Sequence, residues 1–109
     1  MSDTDVILSR DISREQLLAE LRALRPAFER SGVRHMTLFG SRARGDFRGD
    51  SDIDLAVDID PLRKFSLVDL SHLHLLIEDR LRLHVSVVLN RSLRTGLKTA
   101  VARDGVRVF

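Results

Sequence analysis

The sequence predicts a small α/β domain, a mixed β-sheet with its helices packed on one face. Apolar residues recur at helical spacing in two segments and alternate with polar residues over strand length in others. The elements interleave as helix, strand, strand, helix, strand, helix, strand, which suits a sheet covered by helices. With 109 residues and no cysteine, the chain is expected to form one domain, residues 1–109, held by its core without disulfides or structural zinc. No apolar run approaches the ~20 residues of a membrane span. The opening Met1-Ser2-Asp3-Thr4-Asp5 is too acidic for a secretory signal, so a cytoplasmic location is expected.

Ser13-Arg14-Glu15-Gln16 reads as a capping box, with Leu17, Leu18, Leu21, Leu24 and Phe28 behind it at helical spacing, which predicts a first helix over residues 14–30. Pro26 should kink that helix or end it early, and Ser31-Gly32 supplies its stop. A first strand follows over 33–39, closed by Gly40-Ser41. Residues 42–51 read mostly as turn, with room for one helical turn after Ser41. Residues 52–57 alternate charged with apolar side chains, the pattern of a strand with one wet face. Ser66-Leu67-Val68-Asp69 begins a second helix carrying Leu67, Leu70, Leu73, Leu76 or Ile77, and Leu81 along one stripe. A third strand is expected over 83–89, a short helix from a Ser92 cap to Arg103, and a last strand over 106–109. The first two strands are joined by too few residues for a parallel crossover, so that pair should be antiparallel.

The formal net charge is only +2, and its distribution says more than its size. Six aspartates lie between Asp46 and Asp60, whereas from Arg80 onward seven basic residues face one acid, Asp104. There is no Trp or Tyr for base stacking, so direct nucleic-acid binding is not expected.

The informative feature is Gly40-Ser41, then ten residues, then Asp52-Ile53-Asp54. Side chains two apart on a strand share a face about 6.5 Å apart along the chain, so Asp52 and Asp54 can converge on one divalent cation. A strand ending in Gly-Ser at the start of a turn or helix offers unpaired backbone N–H groups and a hydroxyl to a phosphate. Together these features describe a magnesium–triphosphate site: amides and Ser41 on the phosphates, Asp52 and Asp54 on a Mg2+ ion bridging them.

Leu38-Phe39-Gly40-Ser41-Arg42-Ala43-Arg44-Gly45-Asp46, followed by Ser51-Asp52-Ile53-Asp54-Leu55-Ala56-Val57, closely resembles the signature of minimal nucleotidyltransferases of the DNA polymerase beta superfamily. The closing stretch from Val101 to Phe109 also looks like that family's C-terminal helix and strand. The resemblance implies transfer of a nucleoside monophosphate, AMP from ATP as donor, to an acceptor with release of pyrophosphate. It further implies an antitoxin whose partner is a helical toxin RNase of the HEPN type, in some members modified on a tyrosine. Carried over by position, Gly40 and Ser41 would bind the triphosphate, and Asp52 and Asp54 would be the catalytic, metal-holding acids. Arg42 and Arg44, in the same loop, would neutralise phosphate charge or lie exposed without a partner.

The sequence departs from that pattern on the next strand. The family's mechanism needs a third carboxylate there, as ligand of the catalytic metal and acceptor of the attacking hydroxyl's proton. Ser86 stands where it is expected, in His84-Val85-Ser86-Val87-Val88. A serine is a poor neutral ligand and no base at pH 7, so chemistry is put in doubt before binding is. His84 lies two residues away on the same strand face, where an imidazole can accept a proton, or it is simply a half-exposed histidine. His72 and His74, two apart on a helix, point about 200° from each other and cannot share an ion. The alternative to an enzyme is a binding module that neutralises its partner by contact. In either case a partner or a second copy of the chain should supply the missing wall of the site, docked on an exposed sheet edge or the Leu-rich second helix.

Overall fold

The computed structural model describes residues 11–109, and the reading of Met1-Ser2-Asp3-Thr4-Asp5 lies outside them. Ser13 caps helix α1 (Arg14–Ala23) through a capping box in which its hydroxyl accepts from the Gln16 N–H at 3.1 Å and Gln16 Oε1 accepts from the Ser13 N–H at 3.0 Å. The expected long helix is two. Pro26 has no N–H for the carbonyl four residues back and its ring crowds that carbonyl, so the chain breaks at Leu24 and restarts as α2 (Arg25–Arg30). Leu17, Leu18 and Leu21 from α1 and Phe28 from α2 are buried.

Strand β1 (Val33–Phe39) pairs antiparallel with β2 (Ile53–Ile59), as the short connection requires. A bulge between Val33 and His35 shifts the phase, which is why Val33, Met36 and Leu38 all face the core although they do not follow one alternation. Between β1 and β2 runs α3 (Ser41–Arg44), the single helical turn expected after Ser41. Helix α4 (Leu67–Leu81) carries the chain across to β3 (Val85–Leu89), parallel to β2. A 3-10 turn (Asn90–Ser92), α5 (Thr95–Asp104) and β4 (Val106–Arg107) complete the mixed sheet, in the order β3-β2-β1-β4.

Helix α4 opens on the Ser66 capping box, with Asp69 accepting from the Ser66 N–H at 2.8 Å. Its stripe buries Leu73, Ile77 and Leu81, but Leu67, in the first position, is 81% exposed. Ser92 is not the cap of α5. Leu93 is extended, at ψ 136°, and the helix starts two residues later behind Arg94. The last strand is regular over two residues, and its pairing is prolonged by Val108 N donating to Met36 O at 2.8 Å and Met36 N to Phe109 O at 3.1 Å.

Ile53, Leu55 and Val57 of β2 and Val85 and Val87 of β3 face the core formed with α1, α2 and α4. Asp54, Ala56 and Ser86 therefore project from the opposite face, with Phe39 and Thr37 of β1 beside them. Helix α5 contributes no buried residue to the core, and the Gly105 that follows it packs on the Thr37 methyl group at this opposite face. No described helix is long and apolar enough to cross a membrane. Phe28→Ala should lower stability by about 3–5 kcal/mol in chemical denaturation, and Leu62→Ala, at a residue 90% exposed, by less than about 0.5 kcal/mol.

Candidate active site

β1 ends on Phe39, opposite Asp54. The next residue, Gly40, turns the chain at φ 76°, ψ −160°, a backbone conformation closed to residues with a Cβ. A Cβ built there would overlap Asp54 Oδ2 and stand 3.2 Å from Asp54 Cγ. The Asp54 carboxylate thus rests directly on the Gly-Ser corner. Ser41 begins α3, and the amides of Ser41 and Arg42 stand ahead of its hydrogen-bond ladder, in which Ala43 N and Arg44 N both bond to Gly40 O.

Asp52 is exposed and lies one residue before β2, while Asp54 is half-buried within it. Burial, and next the nearby charge of Asp52, raise the Asp54 carboxyl above its ordinary range, and Arg44 lowers it in part. The parallel register sets Ser86 beside Asp54, where a third carboxylate would complete the cluster. Among the described residues no three acidic, histidine or cysteine side chains gather as a metal cage. The donors present, two carboxylates, would suit a magnesium ion, which prefers oxygen ligands. They do not suit a second ion needing three carboxylates.

The two loop arginines behave differently from the expectation of phosphate-facing or free side chains. Arg42 is only 1% exposed, and its guanidinium donates to the carbonyls of Arg48, Gly49 and Ser51, because the loop folds back over it. Arg44 is held by Asp46 and by Asp104, at 3.1 Å each. The tie of Asp104 to Arg44 is not apparent in the sequence. Asp104 lies 60 positions from Arg44, and the only local signal was a lone acid in a basic stretch. Asp58 accepts a hydrogen bond from Asn90 at 2.9 Å.

His84 is exposed and pairs with Glu78, its Nδ1 at 3.4 Å from Oε2, at the end of α4. His72 is exposed and His74 half-buried. A cleft of about 380 Å³ lined by Gly49, Asp50, Glu78, Arg82, Leu83 and His84 contains neither the corner nor Asp52 and Asp54.

The sequence matches the family "Polymerase beta, Nucleotidyltransferase" over residues 22–109. It is 39% identical over 80 residues to the protein adenylyltransferase MntA of Thermococcus cleftensis, covering 73% of this chain and 79% of that one. The chain belongs to the polymerase beta nucleotidyltransferase family. Among solved structures, a minimal nucleotidyltransferase superposes with a TM-score of 0.74 at 34% identity, over 88% of this chain and 96% of that chain. A toxin–antitoxin complex of MntA and HpeT gives a TM-score of 0.64 at 26% identity, over 82% of this chain and 68% of that chain. The family's fold, its nucleotidyltransferase class and its likeness to antitoxins agree with the signature read from Gly40 to Asp54.

Gly40→Ala should destabilise the protein by about 1–3 kcal/mol from backbone strain alone, read by denaturant titration, with Asp54 displaced. Because the folded state raises the Asp54 carboxyl, its ionisation opposes folding above that raised value. Metal-free Asp54→Asn should therefore melt higher than the parent at pH 7. The difference should fade as pH falls through the raised value toward the ordinary carboxylate range. Equal melting at pH 7 would mean that the carboxylate carries no such penalty.

Proposed function

We propose that this chain transfers AMP from ATP to a hydroxyl of a protein acceptor, a toxin of the HEPN type, and so acts as its antitoxin. The observation that carries the reading is the seat of Asp54 on Gly40, which joins a phosphate-type backbone corner to a carboxylate pair. The adenylyltransferase relative and the toxin–antitoxin complex support the donor and the acceptor class.

On this reading Gly40 lets the triphosphate approach the backbone, Ser41 offers its hydroxyl and amide to the phosphates, and Asp52 and Asp54 hold magnesium. Bound there, the ion supplies positive charge that offsets the carboxylates and the triphosphate oxygens. The acceptor oxygen bonds to the α-phosphorus, the bond to the bridging oxygen breaks, and pyrophosphate leaves. The hydroxyl's proton must go elsewhere than Ser86, which is no base, and His84 is turned to Glu78. The proton passes to a basic group of the partner or to a phosphate oxygen of the substrate itself, which leaves as protonated pyrophosphate.

Ser86 in register with Asp54 favours a second reading, a module that binds its partner and silences it without turnover. Labelled ATP, magnesium and the partner toxin separate the two. Label should appear on the toxin and be lost with Asp52→Ala or Asp54→Ala. Toxin inhibition that survives both substitutions, without label, would establish the contact module instead.

A further inference from the structure

Ten residues separate Ser41 from Asp52, and a segment with so little regular structure costs entropy to hold in one shape. A single side chain spans it. Arg42 Nε donates to Ser51 O at 3.1 Å, and Nη2 donates to Arg48 O and Gly49 O at 3.3 Å each. The guanidinium carbon lies 4.5 Å from the centre of the Phe47 ring. Arg42 has no carboxylate within ion-pair distance among the described residues; the Asp11 charge favours its ionised form from farther off, while carbonyl dipoles and an aromatic face replace the water it lost. Only Nη1 finds no acceptor among the described residues. Ser51 O belongs to the peptide that leads into Asp52, and Arg42 itself follows Ser41 in the chain. The guanidinium therefore ties the phosphate corner to the first carboxylate.

We infer that Arg42 is a positioning residue that clamps residues 48–51 to the Gly-Ser corner and thereby sets Asp52 against Asp54 for a divalent cation. The purpose of the clamp rests on the nucleotidyl-transfer reading; the clamp itself does not. A guanidinium spent on backbone carbonyls is not available to a phosphate. A planar fork can reach several diverging carbonyls from a buried position, whereas a lysine ammonium is a point donor.

The test uses the full chain, Mn2+ alone as probe, and two readouts, Mn2+ affinity by electron paramagnetic resonance and amide hydrogen exchange over residues 48–53. In Arg42→Lys, core amides of β1 should keep their protection, loop amides should exchange at least about ten-fold faster, and Mn2+ should bind about ten-fold more weakly. A folded Arg42→Lys with parental Mn2+ affinity overturns the inference. If that variant does not fold, Ser51→Ala replaces it: it removes the hydroxyl that accepts from the Arg48 N–H at 2.8 Å and loosens the same loop with Arg42 intact. Faster loop exchange with weaker Mn2+ binding supports the inference, and parental affinity with a loosened loop overturns it. A parent chain that takes up no Mn2+ contradicts the nucleotidyl-transfer reading itself, a result distinct from a parent that binds and a variant that binds equally well.

Discussion

The site depends on one steric constraint: the carbon at position 40 must carry no side chain, because the Asp54 carboxylate occupies the space a Cβ would fill. The constraint arises from the sheet. Antiparallel pairing of β1 with β2 sets Phe39 opposite Asp54, so the residue that leaves β1 has to turn away over that carboxylate. Gly40 makes the turn at positive φ, and Ser41 then starts a helical turn with its first amides free of the ladder. Backbone donors and an acid are thereby assembled at one place by two strands that the core would pair in any case.

That assembly is electrostatically unbalanced by itself. Asp54 is half-buried beside Asp52, and both burial and its neighbour oppose its charge. The nearest countercharge is largely committed, since Arg44 is shared between Asp46 and Asp104. A cation arriving with a polyphosphate would relieve the repulsion, which makes the cost of the pair intelligible as preparation for a ligand. Beside them Ser86 adds no charge, so the place of a third acid is filled by a neutral hydroxyl. On the proposed reading, the arrangement would hold a nucleotide more readily than it would remove a proton.

Much of this was legible in the sequence because it is local. The Ser13 box, the helix start at Ser66, the alternation through β2 and the Gly40-Ser41 break each follow from residues within a few positions of one another, and all are present in the fold. The antiparallel first pair followed from connection length. What failed depended on tertiary context. Arg42 looks like any loop arginine until the loop folds over it, and Leu67 fits its stripe by spacing yet projects beyond the packed part of α4. The tie between Arg44 and Asp104 crosses 60 positions, and no pattern in a single sequence encodes such a pairing. The start of α5 was displaced because Leu93 is extended, which the Ser92 cap signal did not reveal.

The most direct measurement is a crystal structure of the chain grown with magnesium and a non-hydrolysable ATP analogue. A triphosphate lying on the Gly40-Ser41 backbone, with one ion shared by its oxygens, Asp52 and Asp54, is the predicted result. A nucleotide bound elsewhere, or an ion that touches neither carboxylate, would contradict it.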